Sequence, residues 1–427
     1  MSVIELGDLS SPAADPPSSR PPARLRRRPV LIALICLFAL AASGGPPVPQ
    51  VRQLWTTGLT ERDSFALTAD TVYLVRRSGL TAYDLATGAV RWRRDLPLPY
   101  SDLTSMRVTD GMVLLGGPPE FVTAPGFPSG AMAYPTELIV LDAATGADRW
   151  RAPGEVFDST AGAVLLADRD AHGELHAMRL VGASDGVLRW TRPLTRALDV
   201  QTSPGRIVTT TAGEVTTYRH DDGTPLASRR IEASQDWVNS TTMVSGERLL
   251  VTRADPRGAT ITAYRLDDLA ELWSRRTLRG AYVTECGPVV CLSSGAELSG
   301  LDAATGEPRW SSSGWAGVDV AGPGRLLAYS TADEPEHALM DAATGRLLGR
   351  PSPGWPTPAG GPDGPRTLIR ASATDPDRSV VSRIDPAGGR IVPIGTVVSP
   401  AVGPCSGGGR FLLCRRPGDL VVTALTS

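Results

Sequence analysis

The sequence predicts an all-β fold, a propeller of four-stranded antiparallel blades that follows one N-terminal transmembrane helix. Three observations carry this prediction. A short acidic turn phrase followed by Trp recurs along the chain, runs of alternating polarity lie between its copies, and one uncharged apolar segment stands near the N-terminus. We assign residues 1–28 to a disordered, Pro- and Arg-rich cytoplasmic tail, 29–45 to the membrane segment and 50–427 to the propeller.

The recurring phrase places Asp, Thr and Gly at fixed spacing and a Trp four residues after the Gly. Its clearest copies are Asp84, Thr87, Gly88 and Trp92; Asp142, Thr145, Gly146 and Trp150; and Asp302, Thr305, Gly306 and Trp310, and weaker copies supply Trp190 and Trp273. Asp and Thr side chains accept turn N–H groups, and Gly adopts positive φ without steric cost, so the phrase predicts a turn between two strands. The Trp ring is large enough to fill the wedge between neighbouring blades.

The runs between the copies have the two-residue period of β-strands, for example at 71–75, 206–210 and 248–252. Four short strands in about 40 residues are typical of a propeller blade. The repeats give eight full windows and a ninth that is shared by the two ends of the chain. Residues 53–55 resemble a last strand, and the C-terminal strands lack theirs, so joining them would close the ring and remove exposed edges.

The phrase resembles the tryptophan-docking motif of PQQ-type, quinoprotein-like (BamB-like) propellers, over residues 50–427. The resemblance implies eight blades, so we predict eight, with nine as the alternative. It also implies that the phrase is a scaffold motif. A quinoprotein dehydrogenase of this kind would need adjacent cysteines and Asn ligands for calcium, whereas the chain has no adjacent Cys pair and one Asn, Asn239. We therefore expect no PQQ or other cofactor, no metal site and no catalytic residue.

The N-terminus predicts export. An Arg-rich end of the tail precedes the uncharged run at 30–42, which places the N-terminus in the cytoplasm and the propeller outside. A retained signal-anchor would give a single-pass protein of the cell membrane, and a cleaved signal peptide would give a secreted one. The run is short for a span, which favours cleavage. We prefer the anchor because the preceding tail is long.

Four of the five cysteines form two short-range pairs, which agrees with an oxidising compartment. Cys286 and Cys291 form one short-range pair and Cys405 and Cys414 another, each across a presumed hairpin, and we expect both pairs to be disulfides. Cys36 lies in the apolar run. The formal net charge of −2 argues against a nucleic-acid partner, because that affinity depends on clustered cations.

Two insertions predict the working face. If strands run from the inside of a blade outwards, the connections between blades and those between second and third strands share one face. We place the insertion at 116–135 between a second and a third strand, and the insertion at 351–365 between two blades. Both insertions should therefore project from the same face. Long loops on a rigid scaffold commonly carry function. The candidate binding residues on them are Phe121, Phe127, Tyr134 and Trp355.

Two enzyme-like motifs have structural explanations. The sequence around Ser184 matches the nucleophile elbow, but it occupies the place of the repeated turn and no helix pattern follows. His172 and His176 have zinc-protease spacing, yet they flank Gly173 in a segment that predicts a hairpin.

We therefore expect a non-enzymatic binding or scaffold protein. It would be held at the membrane by one helix and present the propeller outside the cytoplasm to a protein, a glycan or a small ligand. The alternative is an exported propeller enzyme, quinoprotein dehydrogenase-like or a hydrolase or lyase, with an active site on the propeller axis.

Overall fold

The computed structural model describes residues 51–425 except 78, 97–102, 123–131, 161, 171, 212, 232–239, 279, 296, 359–366, 400–404 and 409. Every regular element in this part of the chain is a β-strand. It contains no helix with the length and apolarity to cross a membrane. The tail predicted at 1–28, the membrane segment predicted at 29–45 and Phe127 lie outside the described residues.

The strands form nine four-stranded antiparallel sheets. The first described strand is β1 (Arg52–Gly58). Blade 1 then comprises β2 (Ser64–Leu67), β3 (Thr71–Arg76), β4 (Gly79–Asp84) and β5 (Val90–Asp95). Blade 2 comprises β6 (Ser105–Thr109), β7 (Met112–Val122), β8 (Met132–Asp142) and β9 (Asp148–Pro153), and blade 3 comprises β10 (Glu155–Ser159), β11 (Ala163–Arg169), β12 (Leu175–Gly182) and β13 (Leu188–Ala197).

The next three blades repeat this order. Blade 4 comprises β14 (Asp199–Ser203), β15 (Arg206–Thr210), β16 (Glu214–Arg219) and β17 (Pro225–Arg230), and blade 5 comprises β18 (Ser240–Ser245), β19 (Arg248–Asp255), β20 (Gly258–Arg265) and β21 (Glu271–Thr277). Blade 6 comprises β22 (Tyr282–Cys286), β23 (Val289–Ser294), β24 (Glu297–Asp302) and β25 (Pro308–Ser313).

The last three blades include the shortest strands. Blade 7 comprises β26 (Gly317–Gly322), β27 (Arg325–Tyr329), β28 (Glu336–Asp341) and β29 (Ser352–Pro353), and blade 8 comprises β30 (Trp355–Pro356), β31 (Thr367–Ala371), β32 (Arg378–Asp385) and β33 (Arg390–Val398). Blade 9 comprises β34 (Ser406–Gly408), β35 (Phe411–Arg416) and β36 (Asp419–Ala424) and is completed by β1, which pairs with β36.

The prediction of eight blades was therefore wrong, and the alternative of nine is correct. The repeats in the sequence correspond to nine blades, whereas the resemblance to a family implied eight. Each window forms a sheet, because strand alternation persists even in blades 4, 7 and 8, whose outer strands lack the Trp. The shared ninth window also forms as expected from the two chain ends.

The core is divided among the junctions between blades. In the described residues, nine apolar clusters occur, one at each junction between consecutive blades. The cluster of Leu67 and Val72 with Phe411 and Leu413 joins blade 9 to blade 1 and so closes the ring. First strands of neighbouring blades contact one another, which places them at the inside of the ring.

The Trp of each repeat docks on the Gly of the next blade. Trp92 is buried, and its Nε1–H donates to the Ala143 carbonyl oxygen at 3.0 Å. Gly146 has a φ of 72°, and a Cβ there would come within 2.6 Å of the Trp92 ring. The same contact recurs in six pairs: Trp55 with Gly88, Trp92 with Gly146, Trp150 with Gly186, Trp190 with Gly223, Trp273 with Gly306 and Trp310 with Gly345.

The junction of blades 4 and 5 lacks both partners of this contact. Ala227 occupies the place of the Trp. Two residues later, Arg229 donates to the Leu269 carbonyl oxygen at 2.8 Å, as Arg94 donates to that of Gly146, and its guanidinium lies 4.9 Å from the centre of the Tyr264 ring. Leu269 occupies the place of the Gly at a φ of 54° and is fully buried. Without an indole to accommodate, the next blade can carry a side chain that fills the space.

Two faces follow from the strand order. The turn face carries the connections between first and second strands and between third and fourth strands. The insertion face carries the connections between second and third strands and between blades. Because β1 is a fourth strand, the chain enters the propeller at Arg52 on the turn face.

The structure contains both expected disulfides. Cys286–Cys291 joins β22 to β23 beside their turn, and its Cα atoms are 5.7 Å apart. Cys405–Cys414 joins the residue before β34 to β35, with Cα atoms 4.2 Å apart. The first disulfide lies towards the turn face and the second at the insertion-face end of blade 9.

Candidate functional site

The repeated turns satisfy their own polar groups. The Asp142 Oδ1 atom accepts the N–H groups of Ala144 and Thr145 at 3.0 and 2.9 Å, and Arg149 donates to Oδ2 at 2.7 Å. Asp302 is held in the same way, and its hydrogen bonds from Arg309 and the turn N–H groups lower the pKa of its carboxyl to about 2. The repeated Asp carboxylates of the turn face are therefore paired and not free.

The first insertion lengthens a hairpin, the β7–β8 hairpin, on the insertion face. Both strands have 11 residues, and beyond Gly117 and Glu137 they pair only with each other. Phe121 lies near the end of β7, directly opposite Ala133, and is 71% exposed. The insertion therefore interrupts the connection between second and third strands.

Tyr134 holds this hairpin against blade 3. The Arg169 guanidinium lies 3.8 Å from the centre of the Tyr134 ring, donates to Glu155 at 2.8 Å and donates to the Gly173 carbonyl oxygen at 2.8 Å. A Cβ on Gly173 would come within 2.5 Å of a Val122 methyl carbon, so the two blades approach closely here. Arg169 thus covers the face of the Tyr134 ring on which a ligand would pack.

The second insertion is divided differently from the prediction. Ser352–Pro353 forms β29, the outer strand of blade 7, and Trp355–Pro356 already forms β30, the inner strand of blade 8. The connection that follows Pro356 therefore leads from a first strand to a second strand, so the prediction that the whole segment 351–365 lies between two blades was wrong. Proline explains the difference, because it removes ladder N–H groups and leaves strands of two residues that sequence alternation does not reveal.

Trp355 nevertheless lies on the insertion face, where β30 begins, and is 61% exposed. Tyr282 begins β22 in the same way and is 65% exposed. In the described part of the chain, these two residues and Phe121 are the exposed aromatic side chains, and all three lie on the insertion face. The sequence analysis missed Tyr282 because no insertion marks it. Its position at the start of an inner strand is the sequence signal that could have identified it.

Two adjoining pockets lie where the β7–β8 hairpin meets blade 3. The outer pocket, of about 170 Å³, lies against Tyr134, Arg169 and Asp170. The inner pocket, of about 160 Å³, lies against Ser105, Arg107 and Gly116. Both include Pro135, Gly154 and Glu155, so they form one groove between the blades.

The enzyme-like motifs are parts of turns. Ser184 lies in the turn of blade 3, where the Gly186 N–H donates to the Gly182 carbonyl oxygen at 2.9 Å. The Asp170 Oδ1 atom accepts the N–H groups of His172 and Glu174, each at 2.9 Å, around a hairpin turn. Among the residues that the structure describes, no group of three or more His, Cys, Asp or Glu side chains could hold a metal ion.

His337 is buried near the insertion-face end of β28. It is 2% exposed, its ring centre is 6.2 Å from that of Tyr329, and its Nδ1 atom has no hydrogen-bond partner. Burial lowers the pKa of His337, because the charged imidazolium would lose hydration, and this effect outweighs backbone contacts and Asp319, which favour the charged form.

A comparison of the sequence with models of protein families assigns the chain to a family. The family model described as outer membrane protein assembly factor BamB matches residues 48–203 and 136–392, which together exceed half of the chain. The chain belongs to the BamB family. A comparison with curated proteins found no match.

This BamB-family chain is similar in fold to several solved structures. BamB from Moraxella catarrhalis is 15% identical, with a TM-score of 0.40 over 88% of this chain and 97% of that one. A eukaryotic initiation factor is 10% identical, with a TM-score of 0.54 over 84% and 92%. The dihydro-heme d1 dehydrogenase NirN is 16% identical, with a TM-score of 0.42 over 68% and 65%. At these identities, likeness to the initiation factor supports the fold alone.

Proposed function

We propose that the protein is a non-enzymatic binding module, anchored in the cell membrane by residues 29–45, which engages a partner protein outside the cytoplasm through its insertion face. The observation that carries this proposal is the distribution of exposed aromatic side chains. Phe121, Tyr282 and Trp355 are all on the insertion face and come from blades 2, 6 and 8. Exposed aromatic residues are enriched at protein interfaces and often supply most of the binding energy.

The turn face has a different surface. In the described part of the chain, the exposed large apolar side chains within two residues of the Gly of a repeated turn are all aliphatic, namely Val90, Val187, Leu188 and Leu347. Single exposed aliphatic residues are ordinary on protein surfaces. The contrast favours the insertion face for recognition.

The β7–β8 hairpin is pre-organised for binding. Besides Arg169 and Tyr134, the Thr136 hydroxyl donates to the Pro118 carbonyl oxygen at 3.0 Å, and the Gly154 N–H donates to the Thr136 carbonyl oxygen at 2.9 Å. A loop that is already held in place loses less conformational entropy when a partner binds. Phe121 is therefore presented from a supported strand.

Site-specific photocrosslinking in intact cells tests the proposal. A photoreactive phenylalanine derivative would replace Phe121, Tyr282 or Trp355 in the full chain, and Val90, Leu188 or Leu347 in the matched control set. We expect discrete protein adducts from the first set and none from the second. Equal adducts from both sets, or adducts from the control set alone, would contradict the assignment of the face.

A further inference from the structure

The inner pocket contains hydrogen-bond donors that the protein itself does not use. Arg107 and Ser105 stand two residues apart on β6, and both are exposed. Neither side chain makes a hydrogen bond or ion pair within the described part of the chain. The neighbouring Thr104 hydroxyl is already engaged, since it donates to the Gly116 carbonyl oxygen at 3.1 Å.

The surrounding charges leave Arg107 available. Glu155 lines the same pocket, but its carboxylate is bound by Arg169 at 2.8 Å. Asp168 in the adjoining pocket is bound by Arg179 at 2.7 Å. An Arg guanidinium presents several N–H groups in a planar fork that matches a carboxylate, and a serine hydroxyl can add another donor.

Gly116 keeps the pocket open beside these donors. A Cβ at this position would come within 2.6 Å of the Ser105 Oγ atom and 3.1 Å of the Pro135 Cβ atom. The φ of Gly116 is not in the left-handed region, so its backbone conformation would tolerate a side chain. A side chain would instead clash with the neighbouring side chains.

The β7–β8 hairpin limits how a partner could bind. Pro118 and Pro119 lie on β7 and Pro135 on β8, in the part where the strands pair only with each other. Proline has no N–H to offer, so these edges are poor templates for an added strand. Recognition should therefore depend on side chains, and the exposed Phe121 lies directly opposite Ala133, which lines the pocket.

We propose that the inner pocket receives an Asp or Glu side chain of the partner protein, bound by Arg107 and Ser105, while an adjacent apolar residue of the partner packs on Phe121. This inference rests on the proposed function, because it specifies the chemistry of the same partner. Both contacts come from one short segment of the partner.

A random-peptide display library, selected on the solubilised full chain, tests this inference. The variants are Arg107→Gln, Ser105→Ala and Phe121→Ala. The matched control is Arg62→Gln, which removes an exposed Arg without a side-chain partner from another connection on the insertion face. We expect the wild type to enrich peptides with an acidic residue at a constant distance from an apolar one. Recovery of these peptides should fall about tenfold or more for R107Q, less for S105A, and stay unchanged for R62Q.

The outcomes separate this inference from the proposed function. Enrichment that depends on Phe121 but is equal for the wild type and R107Q would overturn the carboxylate pocket and leave the binding face intact. Enrichment that depends on neither residue, or no enrichment on the wild type, would overturn the pocket and count against the face as well. Thermal denaturation of each variant checks that a loss of recovery does not come from unfolding.

Discussion

The turn face and the insertion face are formed by the same strands, yet they differ in the pairing of their polar groups and in the exposure of their aromatic side chains. On the turn face, Asp142 and Asp302 are saturated by their own turns and by Arg149 and Arg309. On the insertion face, Arg107 has no partner in the described residues, and the exposed aromatic side chains occur there. The repeated Asp residues are satisfied locally and stabilise their turns, whereas Arg107 and the exposed aromatic side chains are available to a partner.

The same residue type shows this difference within one molecule. Trp92 is 9% exposed and is enclosed by the next blade, whereas Trp355 is 61% exposed. Burial of an indole contributes to stability in the first position and leaves apolar surface for binding in the second. Paired substitutions on the two faces can therefore break or sharpen the comparison.

The largest effect is expected for Trp92→Ala. Loss of a buried indole and its hydrogen bond to Ala143 should lower the free energy of unfolding by about 3–5 kcal/mol. Trp355→Ala, the matched change on the insertion face, should change it by less than about 0.5 kcal/mol. Urea denaturation followed by circular dichroism measures both values, and similar losses would refute the division between the faces.

A second test concerns the Gly on which the indole docks. Gly146→Ala introduces both a left-handed alanine and a Cβ 2.6 Å from the Trp92 ring. Gly205→Ala introduces a left-handed alanine at a φ of 75° with open space around it, and so isolates the backbone cost, about 1 kcal/mol. We expect Gly146→Ala to cost about 1–3 kcal/mol more in unfolding free energy. Equal costs would show that the contact is not tight.

The two disulfides should contribute similar stability despite their different locations. Each closes a short loop, with sequence separations of 5 and 9, and loop-closure entropy predicts about 2 to 2.6 kcal/mol. Urea midpoints of Cys286→Ala/Cys291→Ala and Cys405→Ala/Cys414→Ala measure this. Reductant should shift the wild type and leave the fourfold variant unchanged, and a shift in that variant would contradict the assignment.

The smallest effects concern the pH dependence of stability, and the two faces should lose stability in different pH ranges. The folded pKa of Asp302, about 2, lies below its ordinary value of 3.8, so its contribution to stability is present above pH 4 and lost as pH falls towards 2. The pKa of His337 is also lowered, but from 6.5, so the stability of its neutral form is lost as pH falls below that value. Thermal midpoints from pH 2 to 8 should show the upper window disappear in His337→Gln and the lower one shrink in Asp302→Asn. A wild type without a slope between pH 6.5 and 5 would contradict the first expectation.

Local patterns in the sequence predicted most of the architecture. The turn chemistry of Asp84, Thr87 and Gly88 is local, because each hydrogen bond joins residues at most seven apart. Strand alternation and the cysteine spacings are local as well. For this reason the propeller of four-stranded blades, its shared last blade and both disulfides could be predicted.

The candidate site was less predictable. Phe121 and Trp355 were found through their insertions, whereas Tyr282 and Arg107 sit in ordinary strands and were missed. Tyr134 was predicted on the binding face, and its ring is covered by Arg169 from the next blade. Whether a side chain is exposed or occupied depends on what the neighbouring blade places against it.

The sequence by itself thus determined the repeating unit, because a blade is specified by turns and alternation within about 40 residues. The tertiary structure decided how many units close the ring, which Gly receives each Trp, and whether an Arg such as Arg107 has a partner. These properties depend on contacts between different blades. No pattern within a single repeat records such contacts.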